Sequence, residues 1–299
     1  MSVPAVFDLR ALRRQRDRHA AAMAADPFLL DEIADRLVDR LGDIKREFDR
    51  ILDLGGRHGP LARRFGEAQI VVADPSQRLC AMADRPAVVT ELEALPFAEA
   101  SFDAVVSAGS LHHVNDLPGL LAQLRRCLRP DGLLLIAFPG GDTLIELRRA
   151  LLQAELELTG GASPRVSPFA DVRDLGALLQ RAGFALPVVD LDRVTLTYGD
   201  PLALLRDLRR GGEANALAER PRRPLRRDVL MRALELYARN DADARGRINV
   251  TVDLLFATAW TPHPEQQQPA QRGSGTVNLA RAMGVDPAIL AGKAPPRGA

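Results

Sequence analysis

Cysteine, lysine and aromatic residues are scarce in this chain of 299 residues. Its two cysteines, Cys80 and Cys127, are too few for a disulfide framework and lack metal-site spacing, so we expect buried thiols in a reducing compartment. Aromatic residues make up only 4% of the chain, which leaves few stacking platforms for single-stranded nucleic acid.

An excess of charge of one sign and long apolar runs are also absent. The 40 basic and 39 acidic residues give a formal net charge of +1, so no global field attracts nucleic acid or anionic lipid. The apolar run at residues 133–138 is too short to cross a bilayer, and no apolar signal-peptide core follows Met1. We therefore expect a cytoplasmic protein with no transmembrane segment and no nucleic-acid partner.

Short β-rich segments alternate with helical ones through the first half of the chain. The hydrophobic content of 46% allows a sizeable core. Strands are predicted near residues 50–54, 69–73, 86–90, 102–107 and 132–138, and helices near 60–66, 76–83, 116–128 and 143–157. This alternation predicts a parallel sheet that is covered on both faces by helices.

The remaining segments predict additions to this sheet. Two long, partly alternating segments, 188–198 and 248–260, predict further strands, and the arginine-rich residues 10–18 predict a solvated helix. The predicted division of the chain is an N-terminal helical cap at 1–45, a main domain at 46–199 and 245–262, a helical insertion or lid at 200–244, and a polar tail at 263–299.

An acidic strand end leads into a glycine-rich turn. Asp53 lies near the end of the first strand, and Gly55, Gly56 and Gly59 follow it closely. Glycines let the backbone approach a ligand, and the N–H groups of such a turn point at its anionic part. The second strand ends in Asp74, about twenty residues on, where an acid accepts hydrogen bonds from ribose hydroxyls. The pattern predicts a nucleotide-like ligand.

The chain resembles the class I S-adenosylmethionine (SAM) methyltransferases in four further segments that follow in the same order. They are residues 91–97, 101–107, 111–116 and 128–132. The resemblance implies SAM as the cofactor and an α/β, Rossmann-like fold. Its seven-stranded, mostly parallel sheet ends in an antiparallel pair, with the helical insertion between the last two strands. By this resemblance Glu91 contacts the adenine amino group, and Leu92 flanks the ring.

Arg57 departs from the methyltransferase pattern Asp-x-Gly-x-Gly-x-Gly. It replaces the middle glycine, where a positive φ strains any other residue, so SAM binding is expected to be weakened or lost. Two interpretations stay open: a side chain in solvent, which we favour, or an arginine that pairs with a carboxylate of the ligand. For a side chain in solvent, Arg57→Gly is expected to tighten SAM binding.

Rarer strings in almost the whole chain resemble the methyltransferase-like assembly factors of respiratory complex I, whose mitochondrial members are protein-arginine hydroxylases. They lie at residues 7–8, 111–118, 140–148, 163–169, 174–176, 181–184, 212–215 and 268–274. The resemblance implies a protein substrate, such as a complex I subunit. Three functions stay open: methylation of a protein side chain, which we favour, arginine hydroxylation of an iron–sulfur subunit, and chaperone-like assembly without catalysis.

Two residues at the predicted pocket rim are the catalytic candidates. Asp142 follows the fifth strand, at the carboxyl end where open α/β sheets bind ligands. His112 lies in the loop after the fourth strand, as pocket wall or proton acceptor. With His113 and Asp116 it could ligate iron. Adjacent histidines in an extended loop point opposite ways, however, so we predict no metal ligands.

Overall fold

The computed structural model describes residues 5–66, 68–266 and 282. The chain divides into two compact units, Met1–Pro262 and His263–Ala299. The sequence match at residues 268–274 and most of the predicted polar tail lie outside the described residues. No helix in the described ranges is long and apolar enough to span a membrane.

The helices and strands follow one another in the first unit. In chain order they are α1 (Leu9–Ala25), α2 (Phe28–Gly42), β1 (Arg50–Leu54), β2 (Gln69–Asp74), α3 (Gln77–Cys80), β3 (Ala87–Val89), β4 (Phe102–Ala108), α4 (Leu117–Cys127), β5 (Leu128–Gly140), α5 (Ile145–Thr159), α6 (Val172–Arg181), β6 (Ala185–Tyr198), α7 (Pro201–Arg210), α8 (Arg227–Asp241) and β7 (Ile248–Trp260). Two 3₁₀ turns, Ala62–Arg64 and Leu111–His113, lie in the loops after β1 and β4.

The strands form one seven-stranded sheet in the order β3-β2-β1-β4-β5-β7-β6. Strand β7 runs antiparallel to β5 and β6, and the other neighbours are parallel. Successive residues pack on opposite faces: Ile51 and Val106 against α2, α5 and α8, Leu52 and Val105 against α4 and α6. The prediction of a mostly parallel sheet with helices on both faces is confirmed.

Some element bounds differ from the prediction. The helix expected at residues 60–66 is only a 3₁₀ turn, because Gly66, with a φ of 41°, ends it after one turn. The helix expected at 76–83 ends at Cys80, and the amides of Met82 and Ala83 then bond the carbonyls three residues earlier in tighter turns. Strand β5 begins at Leu128, which pairs with Phe102 across a register shift.

The segment between β6 and β7 is helical only at its ends, in α7 and α8. Residues 211–226 between them run without a helix and meet the N-terminal segment. Phe7 forms an antiparallel bridge with Leu217, and the Asp8 amide donates to the Ala216 carbonyl at 2.8 Å. The two segments therefore hold each other over the same end of the sheet.

The sheet reverses its winding between β1 and β4. The chain leaves β1 towards β2 on one side and leaves β4 towards β5 on the other. Loops that diverge in this way open a crevice at the carboxyl ends of the strands, where open α/β sheets bind ligands. The glycine-rich turn and the loop that carries His112 both begin at this crevice.

Leu135→Ala is expected to destabilise the fold by about 2–5 kcal/mol, because the substitution leaves a cavity. Leu135 is buried in β5, between β4 and β7. Urea unfolding measures the loss. The matched Leu191→Ala change on edge strand β6 removes an exposed side chain and should cost under about 0.5 kcal/mol. Equal losses in the two variants would contradict this placement of the core.

Candidate functional site

The turn after β1 is packed tightly against the loop after β4. Gly55 has a φ of 66°, and a Cβ there would lie 2.3 Å from the Ser110 Cβ. The Ser110 hydroxyl donates to the Gly55 carbonyl at 2.7 Å. A Cβ on Gly56 would lie 2.5 Å from Asp53 Oδ2, and Leu92 is buried beside Gly55. Only glycine fits at the first two glycine positions of the turn.

Gly59 and Arg57 complete the turn with positive φ values of 84° and 55°. The Arg57 side chain is only 4% exposed, so the favoured interpretation of a side chain in solvent is wrong. Its Nη2 donates to the Gly109 carbonyl at 2.8 Å and to Glu213 Oε1 at 3.0 Å. Arg57 does pair with a carboxylate, but this carboxylate belongs to Glu213 and not to a ligand as the alternative expected.

Burial of the Arg57 guanidinium, with Arg16 nearby, lowers its pKa to about 10, although Glu213 opposes this shift. Arg57 therefore remains charged at neutral pH. The ion pair compensates for removal of this charge from water.

Asp74 lies at the centre of a buried hydrogen-bond network. Its Oδ1 accepts from the Ser76 amide at 2.8 Å, and its Oδ2 accepts from the Arg57 amide and from Arg16 Nη1, both at 3.3 Å. Arg16 comes from α1, and its side chain is 1% exposed. The expectation of a solvated helix is therefore wrong at Arg16. The sequence did carry a signal, because Arg16 lies one helical turn from each of the buried Leu12 and Ala20.

Several buried polar atoms around the turn have no hydrogen-bond partner at normal geometry within the described residues. They are both carboxylate oxygens of Asp53, Nε and Nη2 of Arg16, and Nε of Arg57. Buried polar groups without partners cost free energy and are rare in native proteins. A ligand with both an ammonium and a carboxylate group would satisfy acceptors and donors together.

A cavity of about 500 Å³ lies beside the turn, between the α1–α2 junction, α5 and α7. Apolar side chains make up much of its wall, and Arg57, His112, His113 and Glu213 also line it. Arg57 thus reaches from the glycine-rich turn into the wall of this cavity, which has the size of a small-molecule or side-chain site.

His112 and His113 lie on the 3₁₀ turn after β4, and both approach Glu213. The distances to Glu213 Oε2 are 3.0 Å from His112 Nε2 and 3.6 Å from His113 Nε2. The two ring centroids are 4.0 Å apart. The expectation that the histidines point opposite ways is wrong, because the backbone is a 3₁₀ turn and not an extended strand. Asp116 instead caps α4 through the Gly119 amide.

Electrostatics couple these three side chains. Burial, together with the nearby His112, holds the pKa of His113 well below its ordinary value. Burial alone would raise the pKa of Glu213, but His112, His113 and Arg57 together hold it far below the ordinary value. Glu213 is therefore an anion, although its side chain is only 25% exposed.

Two other candidate residues lie outside this cluster. The Asp142 side chain is 60% exposed, pairs with Arg193 Nη2 at 2.8 Å, and does not line the cavity, so it loses support as a catalytic group. Glu91 is partly exposed and pairs with Arg13 of α1 at 3.2 Å. Sequence reasoning missed Glu213 as a site residue, although it is the acid in the matched string at residues 212–215.

Comparison with known proteins agrees with this fold. Residues 23–187 match a family described as a methyltransferase domain. The YcgJ protein of Bacillus subtilis has the same fold, with a TM-score of 0.56 at 15% identity, covering 77% of this chain and 99% of that one. The chain belongs to the class I SAM-dependent methyltransferase superfamily.

Within that superfamily, the chain is a member of the family that includes a Danio rerio protein named mitochondrial arginine-hydroxylase NDUFAF5. The two are 37% identical over 92% of this chain and 88% of the relative. A Laribacter hongkongensis protein named malonyl-[acyl-carrier protein] O-methyltransferase is also 37% identical, over 85% of this chain and 90% of the relative. The family thus contains proteins with two different named reactions.

Asp53→Asn is expected to stabilise the ligand-free protein increasingly as the pH rises from about 4 to about 7. Burial raises the pKa of Asp53 to about 7, against a lowering contribution from the Ala62 amide. The unfolded chain loses the Asp53 proton near pH 4, whereas the folded chain keeps it to about pH 7, so ionisation favours unfolding. The gain at pH 8 is on the order of a few kcal/mol.

Urea unfolding between pH 5 and pH 8 measures this gain. The control is Asp103→Asn, because the pKa of Asp103 is lowered: burial is outweighed by hydrogen bonds from Arg50 and Arg129. Asp103 is ionised in both states throughout this pH range, so the stability difference of the control should stay constant. If the stability difference between Asp53→Asn and wild type also stays constant over this pH range, the pKa of Asp53 is not raised by burial.

Proposed function

We propose that the chain binds SAM at the turn after β1. The buried polar atoms without partners carry this proposal, because they fit the amino-acid end of SAM. Asp53 accepts hydrogen bonds from the ammonium group, and the free N–H groups of Arg16 and Arg57 donate to the carboxylate. Asp74 takes the ribose, as the sequence pattern predicts. Leu92 flanks the adenine ring and Glu91 takes its amino group, as the resemblance to the methyltransferases implies.

We propose protein-arginine hydroxylation linked to respiratory complex I assembly as the reaction. Methyl transfer requires mainly alignment of a nucleophile with the sulfonium methyl group, with a single proton acceptor where the nucleophile must lose a proton. The buried contacts of Glu213 with His112, His113 and Arg57 in the cavity wall are the observation that favours different chemistry. The name of the relative from Danio rerio, an arginine hydroxylase, supports the same choice.

Hydroxylation inserts one oxygen atom of dioxygen into a C–H bond of the arginine side chain. The other oxygen atom leaves as water, with two electrons from an organic reductant and two protons. The cavity beside Arg57 would take the substrate side chain, and Glu213 supplies a carboxylate for its guanidinium or for the reacting centre. The residues of this chain exclude water and position the side chain.

Methylation of a protein side chain is the second candidate. The glycines at 55, 56 and 59 keep the tight turn of methyltransferases, and the relative from Laribacter hongkongensis is named as a methyltransferase. The cytoplasmic location, the absence of a nucleic-acid partner and the domain boundaries, including residues 200–244 as a lid, stay predictions.

Deletion of the gene is expected to remove a mass of about 16 Da from one arginine of a complex I subunit, because hydroxylation adds one oxygen atom. Mass spectrometry of complex I from the parent strain, the deletion strain and a complemented strain measures this. Loss of about 14 Da instead would identify methylation and overturn hydroxylation. No mass change would leave chaperone-like assembly as the function.

Arg57→Gly is expected to weaken SAM binding by about tenfold, since it removes a charge-assisted hydrogen bond to the carboxylate. This reverses the expectation of tighter binding, which depended on a side chain in solvent. Isothermal titration calorimetry with SAM measures the affinity. The control is Arg206→Ala, which removes an exposed arginine of α7 that pairs with Asp200 and does not contact the turn. Its affinity should equal that of wild type. Tighter binding by Arg57→Gly would exclude Arg57 as a ligand contact.

A further inference from the structure

Three groups able to bind a metal ion meet in the wall of the cavity. His112, His113 and Glu213 each offer one ligand atom, and these atoms lie within 4.8 Å of one another. Two of the separations, from Nε2 of each histidine to Glu213 Oε2, are 3.0 and 3.6 Å. Ligand atoms about 2.1 Å from one metal ion are roughly 3.0–3.5 Å apart, so little movement is needed.

The buried position of the His113 ring is not explained by hydrogen bonds to the described residues. Its Nε2 is 3.6 Å from Glu213, beyond a normal hydrogen bond, and its Nδ1 is buried without a partner in the described ranges. The His113 side chain is nevertheless almost wholly buried and aimed at the Glu213 carboxylate. A metal ion bound to Nε2 would give that ring nitrogen the partner that the described residues do not provide at hydrogen-bond distance.

The surrounding residues hold the three groups in place. The 3₁₀ turn brings the two imidazoles together, and the Phe7 ring packs edge-on against His113 at 5.3 Å. Arg57 binds Oε1 of Glu213, which leaves Oε2 for the histidines. A hydrogen bond to the second oxygen of a ligating carboxylate is a common way to orient it.

We propose that His112, His113 and Glu213 bind one divalent first-row transition-metal ion, with Fe²⁺ as the functional ion. Two histidines and one carboxylate with open positions are the donor set of non-haem iron oxygenases. All three residues line the cavity, so an ion bound to them faces the space for the substrate. The assignment replaces the expectation of no metal ligands, and its choice of iron rests on the proposed hydroxylation.

Cobalt titration of the purified full-length chain tests the site. Co²⁺ replaces iron as a spectroscopic probe, and we expect a visible absorption band that saturates at one equivalent. His113→Ala and Glu213→Gln should weaken binding by more than about tenfold, and each should abolish the cobalt-induced rise in melting temperature. His19→Ala, which removes a histidine of α1 outside the cluster, should bind cobalt as wild type does.

Circular dichroism identifies a variant that has not folded, and His112→Gln then serves as the substitute. Absence of cobalt binding by wild type, or unchanged binding in all the cluster variants, overturns the site. Mass spectrometry of complex I from a strain carrying His113→Ala separates the two proposals. If the protein binds cobalt but no arginine of complex I is modified in the parent strain, the proposed hydroxylation is refuted and the metal site stands. If the modification persists in the His113→Ala strain, the metal site is refuted and the hydroxylation stands.

Discussion

The ion pair between Arg57 and Glu213 joins the two parts of the site. Arg57 belongs to the turn that we propose as the SAM site, and Glu213 belongs to the segment between α7 and α8. Loss of either partner would leave a charge with little access to water, which is strongly unfavourable. The pair therefore holds Glu213 against the turn after β1, and residues 211–226 in turn bridge to the N-terminal segment at Phe7. That segment leads into α1, which carries Arg16 to Asp74.

The methyltransferase fold is retained here, while Arg57 departs from the methyltransferase pattern in its turn. The tight approach of Gly55 to Ser110 and the acids Asp53 and Asp74 keep the shape that suits a nucleoside with an amino-acid end. An arginine in place of the middle glycine then projects a cation from that turn towards two histidines. A fold of this kind supports many reactions, so the residues of the cavity decide the reaction.

Local sequence patterns predicted most of the fold. Strand runs that end in an acid or a glycine located β1 and β2, and alternating segments located β6 and β7, with the bounds of β7 predicted correctly. The parts of the site that lie close together along the chain, such as Asp53 and Gly55, were predictable from the sequence. The helical spacing of Arg16 also indicated that it is buried, but its charge favoured a side chain in solvent. Its partner Asp74 lies 58 positions away, so no local pattern could predict the ion pair.

The sequence by itself determined the sheet, the glycine turn and the two acids, because periodicity and turn chemistry act over a few residues. Only the tertiary structure decided that Arg57 is buried and that Glu213 meets His112, which precedes it by 101 positions. Such contacts depend on how residues 211–226 pack over the crevice. A charged side chain is buried at little cost only when the fold supplies an opposite charge to replace water, and for Arg57 Glu213 supplies it.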